Sequence, residues 1–308
     1  MEEDSKIFDQ RLNFPDTGAS KRFEALVGID EIKTRLTKSL GVLVNLEGLR
    51  LWNKEHHPTN NTLISLVERR PPLIILAGDV GTGKTELAST IGDPVARKED
   101  IEITLLSLSL STRGSGRVGE MTKLLSEAFG ETYKEAQNLK NKIGKNKGAI
   151  ILLVDEADAI VQSRENEQMH HEDRAGVNAF IRGIDRFAEE ELPAVVILCT
   201  NRLSAIDPAV QRRAAEILIF NRPNDEQRLF VLEKALANTG FTKKQMTDIV
   251  ELTGPTENCN YGFTYSDLTQ RLLPTLVLDA YPNSPITFKR AKEILESMHP
   301  TAPFQELK

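Results

Sequence analysis

The sequence has little of what several classes of protein depend on. It has two cysteines in 308 residues, Cys199 in an apolar run and Cys259 in a polar segment, which argues against a disulfide-built secreted fold or a paired-cysteine metal site. No apolar run is long enough to span a membrane. The acidic, polar start MEEDSKIFDQ is not a secretory signal. These absences predict a reduced, cytoplasmic protein without a membrane partner.

Basic residues are also in the minority. The chain has 39 Lys and Arg against 45 Asp and Glu, and its net charge is −6. Proteins that bind nucleic acid by general electrostatic attraction favour a basic surface, so nucleic acid is not the expected partner. A local basic patch is still compatible with an acidic total. The remaining composition is that of an ordinary globular chain with one large domain or two smaller ones.

Short apolar runs alternate with stretches of helical spacing through the first two thirds of the chain. Continuous apolar strands that alternate with helices predict a parallel sheet covered on both faces. The sequence therefore predicts an α/β fold with a five-stranded parallel sheet. The expected strands are residues 73–77, 103–108, 149–154, 194–200 and 216–220.

The pattern changes after Pro223, where only helical stretches follow. They cover residues 225–239, 243–253, 264–280 and 287–298. Residues 53–71, rich in His, Pro, Asn and Arg, are interpreted as an insertion or loop. The predicted domains are an extended N-terminal arm (1–24), an α/β domain (25–221) and a small all-α domain (222–308).

A phosphate-binding pattern follows the first predicted strand. The segment LIILAGDVGTGKTELAST contains GxxxxGK[ST] between a strand and a helix, which is the context that the motif requires. Gly81 and Gly83 allow the backbone to turn its N–H groups toward phosphate oxygens. Lys84 is placed to neutralise the outer phosphates and Thr85 to ligate magnesium, so ATP and Mg²⁺ are the expected cofactors. The predicted binding residues here are Asp79, Val80, Gly81, Thr82, Gly83, Lys84, Thr85 and Glu86.

Two carboxylates end the apolar run AIILLVDEAD. Asp155 is placed to hold the magnesium, and Glu156 to orient and deprotonate the attacking water. Ligands of open parallel sheets bind at the carboxyl ends of strands, where both residues are expected. An Asp-Glu pair in that position is often only a solvated strand end, but the phosphate-binding pattern favours the catalytic interpretation. Asp158 either caps the next helix or faces a neighbouring subunit.

The order of these motifs resembles that of AAA+ ATPases from about residue 23 to residue 300. FEALVGIDEIKTRL resembles the start of the AAA+ module, where an apolar-Gly segment contacts adenine, here Val27 and Gly28. GDVGTGKT matches Walker A, IILLVDEAD matches Walker B, and ILCTNR places Asn201 at sensor 1, where a polar side chain holds the attacking water. The resemblance implies a P-loop NTPase with an AAA+ large domain followed by an all-α lid.

The resemblance also implies that arginines complete the site. DPAVQRRAAEILIF resembles the segment with the arginine finger, which reaches into a neighbouring subunit's site. Arg212 fits the spacing of the main AAA clade and Arg213 that of the pachytene-checkpoint clade. Arg213 is preferred, and one of the two is expected to pair with a local carboxylate such as Glu216. GFTYSDLTQRLLP resembles the sensor 2 helix, with Arg271 as the phosphate contact or simply a surface residue, although Ser266 stands where relatives often have a basic residue.

Two loops are expected to line the pore of such a ring. In STRGSGRVGEMTKLL, Arg117, Val118 and Gly119 stand where strong unfoldases have aromatic-apolar-Gly, so the resemblance implies a ring that pulls one particular segment. The second loop, near residues 163–175, is rich in His and charge. Its adjacent His170 and His171 cannot easily share a metal ion, so a pore or subunit contact, or a solvated loop, is expected.

Four segments narrow the resemblance to one branch. SGRVGEMTKLL, DRAGVNAFIRGIDR, RRAAEILIF and LTQRLLP are similar to the pachytene-checkpoint (thyroid-receptor-interacting-protein-like) AAA+ proteins, which remodel HORMA-domain proteins through an N-terminal segment. The short polar stretch before the ATPase resembles the bacterial member of cyclic-oligonucleotide antiphage (CBASS) operons. The resemblance implies a homo-hexamer that disassembles a HORMA protein from a nucleotidyltransferase and switches off signalling.

Two other functions compete with this interpretation. A DNA-acting AAA+ loader or transposition helper predicts a basic face, a DNA-binding appendage and stimulation by DNA, but the sequence shows no helix-turn-helix or zinc module. A nucleotide-gated scaffold that scarcely hydrolyses ATP predicts a damaged Walker B motif or a lost finger. Asp155, Glu156 and Asn201 are all present, which argues against the scaffold.

Overall fold

The computed structural model describes most of the chain and divides it into two compact units. The described residues are 7–59, 62–109, 120–141, 144–157, 171–257 and 259–304. The first unit comprises residues 1–24, 31–77 and 85–219, and the second comprises residues 25–30, 78–84 and 220–308. The predicted domain division assigns residues 25–30 and 78–84 to the α/β domain, whereas compactness groups them with the helical residues.

The strands form one six-stranded sheet in the order β1-β3-β4-β5-β2-β6. Its members are β1 Gln10–Phe14, β2 Leu73–Gly78, β3 Glu102–Ser109, β4 Gly148–Asp155, β5 Ala194–Thr200 and β6 Glu216–Phe220. The four neighbours β3, β4, β5 and β2 pair in parallel, and β1 pairs antiparallel with β3. Because β4 and β5 are apolar along almost their whole length, they are buried on both faces of the sheet.

The described part of the first unit also contains helices. They are α1 Thr17–Ala25, α2 Asp30–Val44, α3 Leu46–His56, α4 Thr62–Glu68, α5 Lys84–Thr90, α6 Gly92–Glu99, α7 Glu120–Leu139, α8 His171–Glu189 and α9 Pro208–Gln211. The contact between α7 and α8 is aromatic: the ring centroid of Phe129 lies 5.5 Å from that of Phe180 and 5.4 Å from that of Phe187. These three buried rings belong to the main apolar core, together with the central strands.

The second unit has a separate apolar core formed by short helices. They are α10 Asp225–Ala235, α11 Lys243–Leu252, a π-helical turn Asp267–Leu272, α12 Leu273–Ala280 and α13 Phe288–Ser297. Asn224 and Thr242 each start a helix through a capping box, which satisfies N–H groups that a helix end leaves unbonded. None of the described helices combines the length and hydropathy that a membrane span requires.

Three expectations differ from the structure. The N-terminal arm is not extended throughout, since it contains β1 and α1, and the sheet therefore has six strands rather than five parallel ones. β1 has one fully buried side chain, Phe14, among polar neighbours, so no apolar run marks it. The loop expected at residues 53–71 contains the end of α3 and all of α4, whose side chains Leu63 and Leu66 remain exposed.

Candidate nucleotide-binding and catalytic site

The segment between β2 and α5, residues 78–84, is a tight glycine-rich turn, here called the phosphate loop. Gly81 and Gly83 have φ angles of 73° and 95°, which side chains with a Cβ atom rarely adopt. The turn ends at Lys84, the first residue of α5. The first turn of a helix has backbone N–H groups without an intrahelical acceptor and a positive partial charge, so this end of the loop suits an anion.

Lys84 is folded onto the loop's own backbone. Its Nζ donates hydrogen bonds to the carbonyl oxygens of Gly78 and Asp79, both at 2.8 Å, and the residue is 6% exposed. The Thr82 hydroxyl donates to the Asp79 carbonyl as well, at 2.7 Å. A buried ammonium beside a glycine-rich turn at a helix start fits a phosphate well, because phosphate oxygens offer it full negative charge.

The apolar-Gly segment lies within the second unit, as the phosphate loop does. The Gly28 carbonyl accepts hydrogen bonds from Gln227 Nε2 at 2.5 Å and from the Tyr265 hydroxyl at 3.2 Å. Val27 packs against the helical core of the same unit. Val27 and Gly28, the two predicted adenine contacts, are therefore held by residues of α10 and of the segment just before the π-helical turn.

Tyr265 keeps its proton at any pH near neutrality. Burial raises the pKa of Tyr265 to about 12, and the negative charge of Asp30 adds to the effect. Its hydroxyl is therefore a permanent donor to the Gly28 carbonyl, and the contact does not titrate in the physiological range.

The helical residue that meets the phosphate loop is Ser266. Its backbone N–H donates to the Gly81 carbonyl at 3.0 Å, and a Cβ atom on Gly81 would lie 2.7 Å from the Thr264 hydroxyl oxygen. Arg271 is engaged elsewhere: its guanidinium binds Asp267 at 2.6 Å and the His299 carbonyl at 3.2 Å. A phosphate contact by Arg271 therefore stays a prediction that requires these bonds to be exchanged.

The predicted catalytic residues of the first unit follow two neighbouring strands. β4 and β5 are parallel, with Val154 opposite Leu198, so Asp155, Glu156 and Asn201 emerge at the same edge of the sheet. Their proximity follows from the register and not from any spacing in the sequence.

Glu156 has an unusual backbone for its residue type. Its φ angle is 54°, in the left-handed region that non-glycine residues seldom occupy. Asp155 supports this conformation, since its carboxylate accepts the Glu156 N–H at 2.9 Å. Such conformations concentrate at functional sites, where the surrounding structure imposes them, and the Glu156 side chain is exposed at the strand end.

The two candidate finger arginines differ in their surroundings. Arg213 forms a bidentate ion pair with Asp185 of α8, at 2.7 and 3.0 Å, and the hydrogen bonds that it donates to Asp185 raise the pKa of its guanidinium. Arg212, the adjacent residue, is exposed. Glu216, the expected local partner, instead accepts hydrogen bonds from Arg35 and Ser39.

Some predicted residues lie outside the described part of the chain. These are Arg117, Val118 and Gly119 of the first pore loop, Asp158, and most of the second loop at residues 163–175.

Sequence reasoning missed three residues that contact the predicted site. Gln227 and Tyr265 bind the Gly28 carbonyl, and Arg222 binds Asp79 of the phosphate loop. The sequence marks Gln227 only as the partner of Asn224 in a capping box at a helix start. No sequence pattern indicates the contacts of Tyr265 and Arg222, since their partners lie more than 140 residues away in the chain.

The sheet and the phosphate loop define a AAA-type P-loop ATPase domain. Residues 74–222 match the model of the ATPase family associated with various cellular activities (AAA). The solved structure of Caenorhabditis elegans PCH-2 shares the fold, with a TM-score of 0.63 at 19% identity over 94% of this chain and 74% of that one.

Relatives over the whole length are closer. The chain is 58% identical to CD-NTase-associated protein 6 of Escherichia coli strain MS 115-1, over 97% of this chain and 96% of the relative. A chain of the solved E. coli MS115-1 HORMA:CdnC:Trip13 complex superposes with a TM-score of 0.89, at 56% identity and 97% coverage of both chains. Rhizobiales Trip13 superposes with a TM-score of 0.76, at 52% identity, over 96% of this chain and 100% of that one.

This chain belongs to the AAA ATPase family, in the group of CD-NTase-associated protein 6 and bacterial Trip13. The predicted α/β AAA+ fold and the resemblance to the pachytene-checkpoint branch are thereby confirmed.

Proposed function

We propose that the chain is a ring-forming ATPase that remodels a HORMA-domain protein and separates it from a nucleotidyltransferase. Membership of the AAA family supports ATPase activity in general. The observation that carries the specific reaction is the phosphate loop, where two glycines with positive φ lead to a buried lysine at a helix start. This loop receives the phosphates of ATP in the proposal.

The proposed magnesium ligands are Thr85 and Asp155. Thr85 is exposed in the first turn of α5, and Asp155 is half-buried at the end of β4. Hydroxyl and carboxylate oxygens are the donors that Mg²⁺ prefers, so the residue types fit the ion. Bound magnesium supplies positive charge that offsets the charge of the phosphates.

Glu156 and Asn201 are proposed to position and activate the attacking water. Glu156 is the general base and Asn201 orients the water that it deprotonates. Their shared position beyond β4 and β5 supports these roles, as does the left-handed backbone of Glu156.

Each reaction centre is proposed to need two subunits of a homo-hexamer. An arginine finger supplied by a neighbour stabilises charge that develops on the transferred phosphate. We assign this role to Arg212, because Arg213 is already paired with Asp185 of its own subunit. This assignment reverses the preference for Arg213 that the sequence suggested.

The proposed substrate is inferred from the names of the relatives. The E. coli relative is named for its association with a CD-NTase, and the solved complex contains HORMA and CdnC beside Trip13. At 58% identity over 97% of this chain, we extend this partnership to it. In the proposal, the cytoplasmic ring engages the N-terminal segment of the HORMA protein through Arg117, Val118 and Gly119 and thereby ends antiphage signalling.

A disassembly assay tests the proposal. A HORMA protein and its nucleotidyltransferase from the same genome are purified as a complex and incubated with ATP, Mg²⁺ and the wild-type chain or Glu156→Gln. We expect wild type to release phosphate and dissociate the complex on size-exclusion chromatography. Loss of a general base slows such reactions by about 10²–10⁴-fold, so Glu156→Gln should bind ATP but leave the complex intact.

The control is Glu189→Gln, the same substitution at an exposed position of α8, which should behave as wild type. Equal phosphate release by wild type and Glu156→Gln would contradict the assigned active site. Hydrolysis that leaves the complex intact would contradict the substrate. Stimulation by DNA instead of the HORMA complex would favour the DNA-acting alternative.

A further inference from the structure

An ion pair within the second unit joins the phosphate loop to the chain segment after β6. Asp79, the second residue of the loop, accepts a hydrogen bond on Oδ2 from Arg222 Nε at 2.7 Å, and Arg222 Nη2 forms an ion pair with the same oxygen at 2.6 Å. The two side chains are only 14% (Arg222) and 17% (Asp79) exposed. The pair is thus largely withdrawn from water, where an ion pair is screened less than at the surface.

The rest of the Arg222 guanidinium is also engaged. Nη1 donates to the Gly262 carbonyl and Nη2 to the Thr301 carbonyl, each at 2.7 Å, and the Tyr261 ring centroid lies 4.8 Å from the guanidinium carbon. A planar, rigid group held by three neighbours has one orientation, so the position of Asp79 is defined by groups outside the phosphate loop.

One of these groups belongs to residues 299–304, here called the C-terminal strap. The Thr301 N–H and hydroxyl donate to the buried Asp267 carboxylate, at 3.0 and 2.6 Å. At its far end, the Phe304 N–H donates to Asp79 Oδ1 at 3.3 Å. The strap therefore connects the helical core to the phosphate loop, with Arg222 bonded to both.

Asp79 itself has two opposite effects on phosphate binding. Its Oδ1 accepts the N–H of Val80 at 2.8 Å, which fixes the first turn of the loop. Its negative charge, however, stands in a loop that must receive an anion, and charges of one sign repel strongly where water is scarce. Arg222 cancels that charge and leaves the geometric effect.

We propose that Arg222 is a positioning residue for nucleotide binding, which neutralises Asp79 and, with the C-terminal strap, holds the phosphate loop in its anion-binding shape. The inference rests on the proposed function only in that the loop binds ATP. It assigns to Arg222 and the strap a role in ATP affinity, although neither belongs to a nucleotide-binding motif.

A mutant cycle with two readouts tests the proposal. The variants are Arg222→Gln, Asp79→Asn and the double variant, and the matched control is Arg290→Gln, which breaks the more exposed ion pair of Arg290 with Asp279 in the same unit. The first readout is the Kd of a fluorescent ATP analogue with Mg²⁺. The second is hydrogen exchange of the backbone amides of residues 80–83 in the nucleotide-free protein.

Arg222→Gln should weaken binding of the analogue by about tenfold or more, because it leaves a carboxylate unpaired beside an anion site. The double variant has no unpaired carboxylate and should bind the analogue about threefold or more tighter than Arg222→Gln alone, which is the non-additivity expected of a direct pair. Exchange at residues 80–83 should be faster in Arg222→Gln and unchanged in the control.

The outcomes separate the alternatives. Wild-type affinity and wild-type exchange in Arg222→Gln would overturn the proposal. Equally weak binding by Arg222→Gln and the double variant would overturn the charge argument, since the defect would then be general. If wild type failed to bind the analogue, the proposed function would fail, while the exchange measurement would still decide whether Arg222 holds the loop.

Discussion

Asp267 shows how a single buried charge organises the second unit. It has no exposed surface, and its carboxylate accepts hydrogen bonds from Thr264, Thr301 and Arg271. Burial alone would raise the pKa of Asp267, but the hydrogen bonds from Thr264, Thr301 and Arg271 outweigh burial and lower the pKa below its ordinary value. A carboxylate with a lowered pKa stabilises the fold above its unfolded-state pKa and loses that contribution as pH falls through the folded-state value.

Asp267→Asn should therefore lower the free energy of unfolding at pH 7 by about 1–3 kcal/mol, the range for removing one partner of a buried hydrogen-bonded group. Thermal unfolding of wild type and variant between pH 7 and pH 3 measures the difference, which should shrink below about pH 4 as the wild-type carboxylate is protonated. Asp279→Asn, at a more exposed pair with Arg290, is the control. A difference that stays constant down to pH 3 would contradict the argument.

Site residues differ in how far the sequence reveals them. The turn at Gly81 and Gly83 was predictable because the motif demands backbone conformations that only glycine adopts readily. The pairing of Arg213 with Asp185 and of Asp79 with Arg222 was not, since it depends on which elements come together in space. A local motif can be predicted from neighbouring residues in the sequence, whereas polar contacts between distant residues depend on the tertiary fold.

Among the elements, strand β1 illustrates the same limit. The central strands were predictable from continuous apolar runs, because both of their faces are covered. β1 is an edge strand with mostly polar side chains, and its partner β3 begins only at Glu102, far away in the chain. Phe14 is its one fully buried side chain, 2% exposed, and it fills the space beside Gly92, where a Cβ atom would lie 2.3 Å from its ring.

Phe14→Ala should accordingly lower the free energy of unfolding by about 3–5 kcal/mol, as is usual when a buried phenyl ring leaves a cavity. Denaturant unfolding measures this effect. The control Arg11→Ala breaks the partly exposed ion pair of the same strand with Glu135, and such pairs contribute about 0–1 kcal/mol. If both variants lost equal stability, β1 would be held by its pairing and not by Phe14.

At the scale of the whole molecule, the proposed reaction needs a nucleotide-binding site from one subunit and an arginine finger from the next, and the same chain must provide both. In the proposal, the phosphate loop and the carboxylates beyond β4 act on a nucleotide bound by their own subunit, whereas Arg212, exposed after α9, acts on the nucleotide of a neighbour. A cyclic homo-oligomer brings such groups together because each subunit presents the same pair of surfaces to its two neighbours.

Mixed rings provide the decisive measurement. Glu156→Gln subunits lack the base but keep their arginines, and Arg212→Ala subunits keep the base but lack the proposed finger, so each variant alone should be nearly inactive. In a random mixture, about a quarter of sites combine an intact base with an intact neighbouring arginine, as expected for head-to-tail contacts. Phosphate release should therefore recover on mixing.

Recovery with Arg213→Ala but not with Arg212→Ala would transfer the finger to Arg213. Full activity of unmixed Arg212→Ala and Arg213→Ala subunits would instead mean that each chain completes its own site, and the shared reaction centre would be wrong.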